Sequence, residues 1–125
     1  MGIPVLIYLG ENLRMKGELN EETITAQEIA KALPVQGLGE TWGEEIYFMT
    51  DIDIEFENPQ EVVEEGDLAY WPPLKAFCIF YGPTPASKGN EIRAAGPVNV
   101  FGKIYGNLSE LKKIKEPVKV RVERQ

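Results

Sequence analysis

The sequence predicts a mainly β fold, a closed eight-stranded antiparallel barrel with two short helices, formed by residues 1–125 as a single domain. Three observations favour this fold. A chain of 125 residues has room for one compact core. Its predicted strands are short and evenly spaced. Its two predicted helices are too few to cover both faces of a parallel sheet.

The first third of the chain predicts a hairpin followed by a helix. Ile3–Leu9 is a dense apolar run, and Leu13–Leu19 alternates apolar with charged residues, as a half-exposed strand does. Thr25 has a glutamate three residues later, which is the spacing of a capping box. Pro34 ends the apolar pattern that follows, so we expect a helix over about residues 23–33.

The middle of the chain predicts four strands after an irregular segment. Three glycines within Pro34–Gly43 indicate irregular backbone. Glu45–Met49 and Ile52–Phe56 both alternate apolar and polar residues and are predicted as strands. Asp67–Trp71 and Ala76–Tyr81 are more uniformly apolar, which is typical of central strands buried on both faces.

The last third predicts a long loop, two strands and a second helix. Gly82–Pro97 has no periodicity and is rich in proline and glycine, and a long loop in a compact domain often carries function. Val98–Tyr105 returns to strand character. Asn107 offers a helix cap, and Val118–Val122 alternates valine with basic residues as a closing strand.

The composition excludes several classes of site. The chain has no histidine, which removes Ser-His-Asp and Cys-His catalysis and metal sites built on imidazole. Its single cysteine, Cys78, cannot form an internal disulfide or a cysteine-rich zinc site. We therefore expect no metal and no cofactor, and a reducing, cytoplasmic setting. No apolar run approaches the roughly 20 residues of a membrane span, so no membrane association is expected.

The charge is unevenly distributed along the chain. Residues 1–67 hold 16 acidic and 3 basic residues, whereas residues 68–125 hold 4 acidic and 10 basic ones. The net charge of −7 argues against a nucleic acid as the main partner, and strands interleaved in one barrel would neutralise one another. The acids are mostly glutamate and the bases mostly lysine, a bias typical of proteins from hot environments, so we predict a thermophilic source.

Aromatic and charged side chains supply the candidate binding residues. Trp42 and Trp71 each lie beside a glycine or proline, where a large ring is often half exposed and free to line a pocket. Phe48 and Phe80 fit a barrel interior better than a binding surface. Glu45 invites an acid–base interpretation. Acidic residues alternate between positions 51 and 57, which fits a solvated strand face better than a calcium loop.

Four segments carry a resemblance to a known family. Gly66–Pro72 and Phe80–Pro85 resemble small prokaryotic proteins of unknown function that have a cyclophilin-like fold, and Trp42–Phe48 extends the match. Val98–Ile104 is also similar to the Val-Phe-Gly-Lys-Val strand of true cyclophilins. The resemblance spans the chain and implies an eight-stranded barrel capped by two helices.

True cyclophilins are peptidyl-prolyl isomerases, and the resemblance identifies which of their residues are absent here. They use an arginine on the strand after the first helix, a Phe, Met and Gln cluster, a tryptophan and a histidine. The corresponding strand, Glu45–Met49, has no arginine, and the chain contains no histidine and no Phe-Met-x-Gln motif. Arg93, in the predicted long loop, is the remaining candidate guanidinium.

The sequence therefore predicts an uncharacterised cyclophilin-like protein that binds a peptide or small molecule in an apolar cleft, without normal isomerase activity. The predicted ligand-binding residues are Trp42, Glu45, Tyr47, Phe48, Trp71, Phe80, Thr84 and Arg93. Two alternatives stay open: an isomerase with an altered active site, and a subunit of a multi-part enzyme that hydrolyses cyclic amides. Association into a homo-oligomer also stays open.

Overall fold

The computed structural model describes residues 2–125, and within them it forms nine strands, one α-helix and two 3-10 turns. The strands are β1 (Gly2–Leu9), β2 (Leu13–Asn20), β3 (Val35–Thr41), β4 (Glu45–Met49), β5 (Gln60–Val63), β6 (Asp67–Trp71), β7 (Ala76–Phe80), β8 (Ile92–Tyr105) and β9 (Val118–Arg124). The helix α1 spans Ile24–Ala32, and the 3-10 turns span Pro72–Leu74 and Leu108–Lys113.

Eight of these strands close into an antiparallel barrel. The order around the sheet is β2-β1-β9-β3-β4-β7-β6-β8, and β8 returns to pair with β2, where Gly102 lies opposite Leu19. The ninth strand, β5, pairs with the first half of β8 outside the ring. The predicted fold class is therefore confirmed, with one additional strand.

Alternation along the strands fills the barrel interior. Val118, Val120 and Val122 point into the core from β9, as expected from their spacing. The largest interior contacts are aromatic: Phe77 stacks on Phe48 with ring centroids 5.1 Å apart and meets Phe101 edge to face at 5.3 Å. Each such buried ring contributes roughly 2–3 kcal/mol of hydrophobic stabilisation.

Helix α1 is present where the sequence predicts it, but the capping threonine is a different one. Thr23 precedes the helix, and its hydroxyl accepts a hydrogen bond of 3.0 Å from the backbone N–H of Ala26. Thr25 lies inside the helix and is fully buried. Ile29 packs into the barrel core and anchors the helix there.

The structure corrects two predicted segments. Pro34–Gly43 is not irregular, because Val35–Thr41 forms β3 between β9 and β4. Ile52–Phe56 is extended but joins no strand ladder. Its backbone bonds to side chains instead of a neighbouring strand. The Tyr70 hydroxyl bonds Ile54 N–H and Ile52 C=O, and the Asn99 amide donates to the Glu55 carbonyl at 2.9 Å.

The predicted long loop is also shorter than expected. Strand β8 begins at Ile92, six residues before the predicted start at Val98, and its added length pairs with β5. Within residues 2–125, no helix is both long enough and apolar enough to cross a bilayer.

Candidate functional site

An apolar cleft of about 230 Å³ lies on the outer face of the barrel, where β4, β6 and β7 meet the first half of β8. Its walls are the rings of Trp42, Tyr47 and Trp71. Leu74 and small side chains of β7 and β8 complete the apolar lining, and Glu45 is its single carboxyl group.

The alternation of β4 and β7 explains why these side chains face outward. Ile46 and Phe48 point into the barrel, so Glu45 and Tyr47 point to the opposite face. Cys78 on β7 lies directly opposite Tyr47 and faces the same way. Small side chains on β7 thus leave the space that the large rings of neighbouring elements surround.

The two tryptophans are positioned by close backbone contacts. The Trp71 indole lies against Gly96, where a Cβ atom would be only 3.1 Å from the indole Nε1. Trp42 lies in the β3–β4 turn, and its backbone N–H donates a 2.9 Å hydrogen bond to the backbone carbonyl of Glu45. Gly43 follows with φ +61°, and a Cβ atom there would lie 2.8 Å from Thr84 Cα, so the turn packs tightly on the loop after β7.

Glu45 is the chemically unusual residue of the cleft. The residue is only 6% exposed to solvent. Burial raises the pKa of Glu45 to about 7, and a hydrogen bond with the Cys78 thiol lowers it only in part. Among the described residues, no lysine or arginine forms an ion pair with it. Near neutral pH this carboxyl group can therefore hold or release a proton, or receive a cation.

Cys78 forms part of the cleft wall as a neutral thiol. The residue is 2% exposed, and burial together with the charge of Glu45 raises its pKa well above the usual value. A thiol in this state is a poor nucleophile, since the thiolate is the reactive form. Its role in the cleft is to provide a small, weakly polar surface beside the Glu45 carboxyl group.

The structure brings four of the eight predicted site residues to the cleft: Trp42, Glu45, Tyr47 and Trp71. Phe48 lies inside the barrel on Phe77, and Phe80 is fully buried in the layer beneath the cleft. Neither ring is part of the cleft lining.

Thr84 and Arg93 also lie away from the lining, and each has internal partners. The Thr84 hydroxyl donates to the Arg93 carbonyl, and the Thr84 N–H donates to Ser87 Oγ at 2.9 Å. The Arg93 guanidinium binds Glu91 at 2.6 Å and Glu61 at 2.9 Å. Arg93 therefore neutralises surface carboxylates and ties β5 to β8.

Sequence reasoning missed the contribution of small residues to the lining. Ala94 and Ala95 fall in the segment predicted as a loop, so nothing in the sequence placed them on a strand. The available signal was on β7, where Ala76 and Cys78 alternate with large apolar residues. Small residues at every second position of a strand indicate a depression on that face.

Two other candidate binding features of residues 2–125, a second depression and the acidic side chains, form no convincing site. A wider depression of about 790 Å³ lies between β2, β5 and β8, but its central charges are paired: Lys103 Nζ is 2.9 Å from Asp67 and 3.2 Å from Glu64. Over residues 2–125, no cluster of three or more acidic or cysteine side chains is arranged to hold a metal ion.

Comparison with known proteins identifies a family and a similar solved structure. Residues 4–123 match the sequence model of a protein family described as Cyclophilin-like. The chain is similar to the solution structure of a hypothetical protein from Archaeoglobus fulgidus, with 41% sequence identity and a TM-score of 0.81. The match covers 99% of this chain and 95% of that one. No curated protein matches the sequence.

Proposed function

The chain belongs to the cyclophilin-like family, and we propose that it is a binding module whose outer cleft takes a small molecule or a peptide side chain. The observation that carries this proposal is the combination of three aromatic walls with one buried carboxyl group. Ligand pockets are mostly apolar and contain a few polar groups that fix orientation. At about 230 Å³ the cleft suits one small group rather than a drug-sized molecule.

We also infer that prolyl isomerisation is not its activity. Among residues 2–125, no arginine or lysine lines the cleft, and the guanidinium of Arg93, which the sequence suggested for this role, forms ion pairs with Glu91 and Glu61. Glu45 gives the cleft the opposite charge to that of a guanidinium. When ionised, this carboxylate accepts hydrogen bonds, whereas a guanidinium would donate them to a peptide carbonyl.

Tryptophan fluorescence tests binding directly, because Trp42 and Trp71 are the only tryptophans of the chain and both line the cleft. We expect a saturable change when proline-containing peptides or small apolar molecules are titrated. Tyr47→Ala should weaken the response, whereas Tyr105→Ala, at a 50% exposed tyrosine outside the cleft, should not. Absence of a saturable response to every member of the panel at millimolar concentration would reject the proposal.

A proline-peptide isomerisation assay tests the second part. We expect the same rate with and without the protein. An acceleration that Glu45→Gln abolishes, and that Glu44→Gln leaves intact, would instead establish an isomerase with an altered active site.

A further inference from the structure

Resting on that proposed function, we propose that the ligand of the cleft carries a compact organic cation, a quaternary or protonated alkylammonium group, held by the rings of Trp42, Tyr47 and Trp71 against the Glu45 carboxylate. The inference concerns the chemical class of the ligand and follows from the cleft's geometry and charge.

The aromatic walls are the first argument. A cation over the face of tryptophan or tyrosine is attracted by the ring quadrupole, by about 0.5–2 kcal/mol per contact depending on desolvation. Three such rings surround one small cleft, and two of them are tryptophans, which give the strongest attraction. A cleft that served only a neutral apolar ligand could be lined by aliphatic side chains equally well.

The missing counter-ion is the second argument. Glu45 lies on the cleft with 6% of its surface exposed, and the polar group beside it is the neutral Cys78 thiol, whose hydrogen bond of 3.8 Å goes to the Ala76 carbonyl. A buried carboxylate without a cationic partner is costly, by several kcal/mol. A bound ammonium group would supply the positive charge that the described residues around Glu45 do not.

None of the described groups that face Glu45 from the neighbouring strands neutralises its negative charge. Cys78 on β7, Tyr47 on β4 and Tyr81 after β7 are neutral near pH 7, since burial raises the pKa of all three, that of Tyr81 to about 12. Glu44, the adjacent residue, is 3.9 Å from Lys112. The wall from β8 is alanine and valine, and that from β6 is Trp71. No positive side chain lines the cleft.

The experiment compares choline with its neutral isostere, 3,3-dimethylbutan-1-ol, by calorimetric titration of the full chain. The two probes share shape and hydroxyl group and differ in the positive charge. At about pH 8.5 Glu45 is ionised, and we expect choline to bind at least about tenfold more tightly than the isostere. At about pH 6 most Glu45 is protonated, so choline affinity should fall about tenfold while that of the isostere stays nearly constant.

Three variants separate the contribution of the Glu45 charge from that of the aromatic rings. Glu45→Gln should lower the choline-to-isostere ratio about tenfold, as protonation of Glu45 does near pH 6, and leave the contribution of the rings. Glu44→Gln, which removes the neighbouring carboxylate outside the cleft lining, should preserve it. Trp42→Leu keeps apolar volume but removes a ring, so it should weaken choline more than the isostere. Trp42 is half-exposed in a turn, where this substitution leaves the barrel core untouched.

The outcomes distinguish this inference from the proposed function on which it rests. Equal affinities for the two probes, or choline binding that tightens toward pH 6, would overturn the inference that the ligand is a cation. The proposal of a cleft that binds a neutral ligand would then remain. Tightening at low pH would indicate a protonated Glu45 that donates a hydrogen bond to the hydroxyl oxygen of the probe. Failure of both probes and of all peptides to bind would overturn both proposals together.

Discussion

The carboxylate of Glu57 accepts two hydrogen bonds from Thr25, one from its backbone N–H at 2.8 Å and one from its hydroxyl at 2.7 Å. It also accepts a third, of 2.9 Å, from the N–H of Ile24. A side chain from the segment after β4 therefore satisfies the free N–H groups at the start of α1, where the helix dipole also favours negative charge. Asn99 completes the connection, since its amide donates to the Thr25 hydroxyl at 3.1 Å.

Glu57→Gln should destabilise the protein by about 1 kcal/mol, because a neutral amide accepts these hydrogen bonds less strongly and loses the interaction with the helix dipole. Urea denaturation followed by circular dichroism measures the change. Glu55→Gln, at an exposed position of the same segment, is the matched control and should leave the midpoint unchanged. Equal midpoints for the two variants would show that Glu57 does not stabilise the helix.

The same contact predicts a loss of stability in acid. Burial alone would raise the pKa of Glu57, but the hydrogen bonds from Thr25 and Ile24 outweigh it and lower the pKa. A carboxyl group with a lowered folded-state pKa stabilises the fold above its unfolded value and ceases to do so as the pH falls through the folded value. The wild type should therefore lose more stability than Glu57→Gln when the pH is lowered from about 5 to about 3. Parallel losses would contradict this assignment.

Glu45 should have the opposite effect on the pH dependence. Its folded-state pKa of about 7 exceeds the ordinary value of 4.5, so the unfolded chain ionises first and the folded state becomes less stable as the pH rises between these values. Glu45→Gln should abolish this decline and be more stable than the wild type above pH 7, by on the order of 2–3 kcal/mol. Urea midpoints between about pH 5 and pH 8 measure it, with Glu44→Gln as control. If wild-type stability does not change over this pH range, or if Glu45→Gln leaves its pH dependence unchanged, burial does not raise the pKa of Glu45 as described.

Much of this fold was predictable from alternation and from short apolar runs. The bounds of β4 and β6 agree with the predicted strands, because their neighbours in the sheet reinforce the local pattern. Residues 52–56 show the same alternation, yet the Tyr70 hydroxyl takes their backbone hydrogen bonds in place of a neighbouring strand. Whether an extended segment pairs with a strand or with a side chain is decided by residues distant in sequence, so periodicity could not distinguish the two.

The missed strand β3 has a related cause. Gly37 and Gly39 lower its local strand propensity, which is why the sequence indicated irregular backbone. A Cβ atom at Gly37 would be 2.7 Å from the Phe48 ring, so the glycine makes room for a core aromatic of the next strand. In the cleft, the aromatic and acidic residues were recognisable by type, but the internal partners of Thr84 and Arg93 depended on tertiary packing.

Cys78 should be unreactive while the protein is folded. The residue is 2% exposed and its pKa is raised by burial, so both access and thiolate formation are suppressed. We expect Ellman's reagent to modify the folded protein at least ~100-fold more slowly than the chain unfolded in urea. Rapid modification of the native protein would show that the floor of the cleft opens to reagents.

Gly102→Ala should destabilise the barrel where it closes. A Cβ atom at Gly102 would lie 2.5 Å from the Glu18 carbonyl oxygen, so β2 and β8 would have to separate. Overpacking of this kind costs about 1–3 kcal/mol and should lower the thermal midpoint. Gly39→Ala, where the nearest atom would be a Val120 methyl carbon at 3.0 Å, should lower it less. A variant at Gly102 that melts like the wild type would contradict the tight approach of these strands.

The way the barrel closes also determines when it can fold. The β1–β2 hairpin is synthesised before the two strands that fill its open edges, β8 and β9. Until residues 99–124 leave the ribosome, both edges present unpaired N–H and C=O groups to other chains. Such long sequence separations between paired strands slow folding to the range of milliseconds to seconds. The barrel therefore closes only after β9 has been synthesised, and until then the unpaired edges of the hairpin are a site at which nascent chains can aggregate.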